Sequence, residues 1–145
     1  MNKNFLILFL ILALYSCKTA EEVKSSESPA GKRYAIGQGG GFTGEYFEFI
    51  LSENGQVHKY DYKNDREVFF KDLEKIDLVY FLEKLESLSV EGMEINAPGN
   101  MTYYIDVRVG KSSINKITWG HYNYNPEKEL VDFHKEIFDK LREWD

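Results

Sequence analysis

Residues 101 to 109 alternate strictly between apolar and other side chains, the pattern of a β-strand with one buried face. One face carries Met101, Tyr103, Ile105, Val107 and Val109, and the other carries Thr102, Tyr104, Asp106 and Arg108. Gly110-Lys111-Ser112 predicts a turn, after which Ile114 to Trp119 pairs back as a second strand. The chain must therefore bury one side of an antiparallel sheet.

A second hairpin is predicted earlier in the chain. Tyr46 to Leu51 and Gln56 to Tyr62 are rich in β-forming residues, and Asn54-Gly55 between them favours a type I′ turn. Tyr34 to Gln38 predicts a first strand that runs into a glycine-rich bend.

Two stretches have helical periodicity. In the stretch 72–88, Leu78, Phe81, Leu82, Leu85 and Leu88 form one apolar stripe, with Asp72 or Asp77 available as N-cap. Asn125 and Pro126 predict the cap and first position of a C-terminal helix. Its apolar face comprises Leu130, Ile137, Leu141 and Trp144, with Phe133 or His134 between them.

Together these elements predict an α+β fold of the order β-β-β-α-β-β-α, with a small antiparallel sheet of four to five strands packed on one side by two helices. Cys17 is the only cysteine, so no disulfide can form within the chain. Ten Phe, ten Tyr and two Trp can supply an aromatic core.

The N-terminus has the features of an export signal. Phe5 to Leu14 is an unbroken apolar run, too short to span a bilayer as a helix, and Lys3 is the only charged residue before it. Residues 1–16 are therefore predicted to be a cleaved signal peptide. Residues 18–32 lack periodicity and are rich in Ser, Glu and Lys, which indicates a flexible tether ahead of a single domain at 33–145.

Leu14-Tyr15-Ser16-Cys17 resembles the lipobox of bacterial lipoproteins. The resemblance implies a lipidated Cys17 as the new N-terminus, and a membrane anchor in the cell envelope, with the outer membrane as the expected location. The alternative is an ordinary cleaved signal with a cysteine nearby. Glu21 and Glu22 partly match the surface-export signals of some Bacteroidetes lipoproteins, so both a periplasmic and a surface-exposed location stay open.

The net charge of −6 argues against nucleic acid as a partner and against electrostatic docking on anionic lipid. No spacing of ligating residues indicates a metal site, and no motif indicates a cofactor.

The stretch from Gly37 to Gly44 contains five glycines in eight residues. One interpretation is structural, a bulged strand or tight corner, which is the usual meaning of glycine in strands. The other is a recognition loop at Gly39, Gly40, Gly41, Phe42 and Thr43, with Phe42 presented to a partner.

Gly40-Gly41-Phe42-Thr43-Gly44, followed by a strand, an Asn-Gly hairpin, a helix and a closing strand pair, resembles the emfourin type of small bacterial proteins. These proteins inhibit thermolysin-like metallopeptidases and carry a similar Gly-Gly-aromatic-x-Gly signature. The resemblance implies a binding or inhibitory role. The chain departs from the family in its lipoprotein signal, in Thr43 at an alanine-like position and in its long C-terminal helix.

Residues 119–125 mix aromatic rings with amide and imidazole groups, as sugar-binding and protein-binding surfaces do. The contact candidates here are Trp119, His121, Tyr122 and Tyr124. The alternative, favoured because Asn125 is the predicted helix cap, is a connecting loop whose Trp119 packs into the core.

The sequence offers His58, His121 and His134 to catalysis, but no zinc-protease, serine-elbow or carboxylate-pair motif. The leading hypothesis is therefore a lipid-anchored, non-catalytic binding module of the cell envelope whose ligand the sequence leaves open, with an envelope or secreted protein as one candidate partner. Alternatives are a metallopeptidase inhibitor, a carbohydrate-contacting lipoprotein, and a hydrolase that uses His58 or His121 with Asp61 or Asp106.

Overall fold

Six strands pair in one antiparallel sheet in the computed structural model, which describes residues 31–143. The strands are β1 (Lys32–Gly40), β2 (Glu45–Ser52), β3 (Gln56–Asp61), β4 (Arg66–Asp72), β5 (Met101–Val109) and β6 (Ser112–Trp119). Their spatial order is β4-β3-β2-β1-β5-β6, so β1 lies in the middle and pairs with both β2 and β5.

Two helices, α1 (Lys75–Ser87) and α2 (Lys128–Arg142), cover one face of this sheet. The buried stripes are those that the sequence predicts: Phe81, Leu85 and Leu88 around α1, and Leu130, Phe133, His134, Ile137 and Leu141 on α2. They pack on Ile36, Phe49, Val57, Ile105, Val107 and Ile117 of the strands. The α+β fold with two helices on one side of an antiparallel sheet is thus confirmed.

The predicted strand count and element order are wrong by one strand. Arg66–Asp72, left unassigned by the sequence pattern, forms β4 at the edge of the sheet, and the order is β-β-β-β-α-β-β-α. Because β4 occupies the chain up to Asp72, α1 begins at Lys75 after the N-cap residue Glu74. Neither Asp72 nor Asp77 caps the helix, and Glu74 makes no side-chain cap hydrogen bond.

The β2–β3 turn is not of type I′. That turn needs positive φ at both central residues, whereas Gly55 has a φ of +90° and Asn54 does not have positive φ. The Gly55 N–H donates to the Ser52 carbonyl at 2.9 Å, and the Asn54 side chain accepts from the Gln56 N–H at 3.1 Å. This geometry fits a type I turn followed by glycine.

The second helix begins later than predicted. Its N-cap residue is Glu127, so Asn125 and Pro126 precede the helix rather than start it. Trp144, the signal peptide, Cys17 and almost all of the predicted tether lie outside the described residues; β1 already begins at Lys32. Within residues 31–143, no helix is long and apolar enough to cross a membrane.

Candidate functional site

The glycine-rich stretch divides between a strand and a turn. Gly37 and Gly39 lie inside β1, whereas Gly40, Gly41 and Gly44 have positive φ values of 104°, 69° and 66° and reverse the chain into β2. Phe42 lies at the tip of this turn with its ring fully exposed, beside the exposed Thr43. The glycines therefore serve a strand and a tight turn, as the structural interpretation predicts, and a recognition role of the exposed turn stays a prediction.

Three loops meet at the end of the sheet where this turn lies. The Gly41 N–H donates to the Asn100 carbonyl at 2.7 Å, and the His121 N–H donates to the Ala97 carbonyl at 2.9 Å. A Cβ atom on Gly99 would lie 2.0 Å from the Gly120 carbonyl oxygen, so only glycine permits this approach. We call residues 40–44, 96–100 and 120–124 together the loop platform.

The loop platform brings together most of the contact candidates. Tyr122 is 88% exposed and stacks on His121, with ring centroids 4.6 Å apart. Tyr124 is partly exposed, and its N–H donates to the His121 carbonyl at 2.9 Å. Two sequence-distant stretches, 39–43 and 121–124, therefore flank the same central loop.

Trp119 does not belong to this surface. Its side chain is 4% exposed, stacks on Tyr103 and packs against His134 of α2. The prediction that Trp119 contacts a partner is therefore corrected. Side chains of β6 alternate between the two faces of the sheet, and this alternation directs Trp119 into the core, as the connecting-loop interpretation predicted. Gly39 is likewise buried within β1, so it cannot contact a partner through the exposed turn.

The sheet face opposite the helices, which we call the open face, carries a buried charge network. Glu48 and Asp106 are 5% and 4% exposed. Arg108 donates to both oxygens of Glu48 at 2.9 and 3.1 Å, and its Nε donates to Asp106 at 2.7 Å. Ser113 donates its hydroxyl to the other Asp106 oxygen at 2.6 Å. Two carboxylates thus share one guanidinium in a partly water-excluded site.

The network extends to the tyrosines, and a second arginine on the same face forms an ion pair of its own. Tyr104 donates to Glu48 at 2.7 Å, and burial, followed by the Glu48 charge, raises the pKa of Tyr104 far above its usual value. Burial alone would lower the pKa of Arg108, but its bonds to Glu48 and Asp106 outweigh burial and raise that pKa. Arg33 is fully buried and bonds to Glu67 at 2.6 Å and to the Gly110 carbonyl at 3.0 Å. Tyr104 therefore stays neutral and Arg108 stays charged at neutral pH.

The two glycines inside β1 make room for the open-face rings. A Cβ on Gly37 would lie 2.1 Å from the Tyr104 ring, and a Cβ on Gly39 would lie 2.3 Å from the Tyr46 ring. Both rings therefore lie across the central strand, where a side chain on β1 would displace them.

The three histidines lie in separate places. His58 is on the open face, with its Nδ1 buried and without a hydrogen-bond partner among residues 31–143; His121 is in the loop platform, and His134 is in the core. They do not gather around Asp61 or Asp106 as the hydrolase hypothesis requires. In the described range 31–143, no three His, Cys, Asp or Glu side chains are placed to hold a metal ion.

The open-face network is not among the sites that the sequence predicts. A signal was present, because the alternation in β5 places Tyr104, Asp106 and Arg108 on one face, and His58, Tyr60 and Tyr62 alternate in the same way. What the pattern lacks is the strand order, which sets Glu48 of β2 next to β3 and two strands away from the β5 residues.

No known family model and no curated protein sequence matches this chain. The resemblances to lipoproteins and to the emfourin type therefore stay predictions.

Proposed function

We propose that the protein is a lipid-anchored, non-catalytic binding module of the bacterial cell envelope, and that the loop platform binds a partner protein. The observation that carries the proposal is that the turn bearing Phe42 and the loop bearing Tyr122 both bond to the 96–100 loop. Two exposed aromatic rings thus share one backbone-supported surface.

The backbone of the loop platform favours recognition because it limits the conformational entropy that is lost when a partner binds. The bond from the Gly41 N–H to the Asn100 carbonyl holds the short Phe42 turn, so the ring is presented without a long flexible loop. A fully exposed phenyl ring contributes most to the free energy of binding when it enters a pocket on a partner. Such aromatic anchors dominate the energetics of protein interfaces. The partner therefore offers a cavity for an aromatic ring.

The resemblance of Gly40-Gly41-Phe42-Thr43-Gly44 to the emfourin type suggests a thermolysin-like metallopeptidase as that partner. The separation of the three histidines supports a binding role over a hydrolytic one. A sugar-binding role of the loop platform is less well supported, because Trp119, the largest ring among the contact candidates, is buried.

We expect soluble protein of residues 18–145 to slow a thermolysin-like metallopeptidase at micromolar concentration, and Phe42→Ala to weaken inhibition roughly thirtyfold, since an interface hot spot contributes about 2 kcal/mol or more. The inhibition constant is measured with a peptide substrate. Ile76→Ala is the matched control, because Ile76 is also a large exposed apolar residue but lies on α1.

Lack of inhibition by the native protein would exclude the metallopeptidase as partner. The binding role itself is tested by capture from envelope extract, in which one protein retained by the native chain and by Ile76→Ala should be lost with Phe42→Ala. Equal capture by both variants would contradict recognition through Phe42.

Anchoring through Cys17 makes a separate prediction. Cells fed a labelled palmitate analogue should incorporate the label into the full-length protein, and Cys17→Ser should abolish incorporation because it removes the thiol that is acylated. The measurement is label per unit of protein after detergent phase partition. Label that persists in Cys17→Ser, or that is absent from the native chain, would reject the lipid anchor.

A further inference from the structure

The open face forms a cleft of about 1090 Å³ that is distinct from the Phe42 turn. It is lined by tyrosines, charged side chains and small hydroxyl groups from all six strands and their connections. A cleft of this size accommodates a small molecule.

One wall of the cleft is built of tyrosine rings. Tyr46 and Tyr62 have ring centroids 6.1 Å apart, and Tyr62 and Tyr60 have centroids 4.8 Å apart. Tyr62 and Tyr104 share a hydrogen bond between their hydroxyls at 3.0 Å, while Tyr46 and Tyr62 keep close to half of their surface exposed. Each ring offers an apolar surface beside a polar group. This combination suits a saturated ring with CH faces and hydroxyl edges.

The floor of the cleft is pre-organised by paired charges. Arg108, Glu48 and Asp106 satisfy one another, so their side chains are held in place before a ligand arrives. Carboxylate oxygens have more than one lone pair, and those of Asp106 accept one bond each within the described residues. Asp106 can therefore still accept a hydrogen bond from a ligand hydroxyl.

Two cations in the cleft lack such partners. Lys111 and Lys116 line it, and the ammonium group of neither makes a hydrogen bond or an ion pair with any residue of the described range. The Lys116 ammonium lies 4.3 Å from the centroid of the Tyr104 ring. Five cationic and four anionic side chains line the cleft, whereas the whole protein has a net charge of −6. The cleft is thus locally positive on an acidic protein.

We propose that this cleft binds an acidic sugar, with the hydroxylated ring against Tyr46 and Tyr62 and its carboxylate on the Lys116 ammonium. The free cation selects the carboxylate, the tyrosine wall selects the ring, and Asp106 accepts from a ring hydroxyl. The site uses the face of the sheet: it borders the loop platform at Asn96 and Pro98 but includes neither the Phe42 turn nor the Tyr122 loop.

The test is an NMR titration of soluble residues 18–145 with glucuronate, beside methyl glucoside as the neutral ring of the same shape. Glucuronate should shift the amide signals of Tyr104, Asp106 and Lys116 with a dissociation constant of about 1 mM, and methyl glucoside should bind at least tenfold more weakly. Equal binding of the two sugars, or no shift with either, would overturn the proposal.

Variants test separately the two parts of the site, the Lys116 ammonium and the tyrosine wall. Lys116→Met keeps the length of the side chain and should weaken glucuronate about tenfold without changing methyl glucoside, while Lys135→Met, on the exposed side of α2, should leave both unchanged. Tyr62→Ala, at an exposed position, should weaken both sugars several-fold. An effect of Lys135→Met equal to that of Lys116→Met would refute a localised carboxylate site.

Discussion

Replacing Glu48 with leucine is expected to lower the free energy of unfolding by about 3 kcal/mol. The change removes the acceptor of two Arg108 bonds and of the Tyr104 hydroxyl, and it leaves a guanidinium facing an apolar side chain. Loss of one partner of a buried ion pair costs about 3–5 kcal/mol, and the lower end applies because Asp106 still holds the Arg108 Nε. The measurement is urea unfolding at neutral pH.

The matched control is Glu129→Leu, which removes an exposed carboxylate paired with Lys84 at 3.3 Å. Such a surface pair is worth about 0–1 kcal/mol, so this variant should remain close to the native stability. Glu48→Gln, which keeps one acceptor oxygen but no charge, should fall between the two. If Glu48→Leu cost no more than Glu129→Leu, the open-face network would not contribute to stability.

The sequence pattern predicted the helices and strands that have one buried and one exposed face. It missed β4, which has exposed apolar side chains on both faces. β5 and α2 present a clear apolar side, and α1 buries Phe81 and Leu85 one turn apart, so their periodicity could be read directly. In β4, Val68, Phe69 and Phe70 are consecutive, and Val68 and Phe69 are both exposed although they lie on opposite faces. An edge strand with this exposure lacks the alternation of a half-buried strand.

The helix starts were misplaced for a related reason. Asp72 and Asn125 have good capping side chains, but Asp72 pairs with Gln56 in the sheet, and the N-cap residue of α2 is Glu127, whose ψ of 136° is not helical. At Asp72, pairing in the sheet thus overrides the local capping preference.

Of the two candidate sites, the loop platform could be predicted in part from the sequence, whereas the cleft could not. Repeated glycine and exposed aromatic residues identify loops one by one, although the 96–100 loop that joins them carries no such signal. The cleft depends on Glu48 meeting Tyr104 and Arg108, which are 56 and 60 residues away in the chain. Only the order β2-β1-β5, with Gly37 between them, brings these side chains together.

Acidification from pH 6.5 to about 4 is expected to destabilise the protein through His134 by about 3 kcal/mol. Burial lowers the pKa of His134 to about 4, against the opposing effect of its bond to the Gly37 carbonyl at 3.0 Å. That carbonyl can only accept, so Nε2 carries the proton in the neutral ring. Above pH 6.5 the imidazole is neutral in both states, and the stability is fully present.

Between pH 6.5 and about 4 the unfolded chain binds a proton at this position that the folded chain does not, so stability falls by about 1.4 kcal/mol per pH unit at most. Below pH 4 both states are protonated there, and this contribution stops changing. His58, whose pKa is also lowered by burial, acts in the same direction. The variant His134→Gln keeps a neutral hydrogen-bond donor at this position. The contribution of His134 is therefore the difference between the native protein and this variant in the slope of the free energy of unfolding against pH. Urea unfolding across this pH range measures it, with His121→Gln as the surface comparison. A His134→Gln slope equal to the native one would show that the buried imidazole already accepts a proton in the folded state, and that its packing between Trp119 and Phe138 does not exclude the charge.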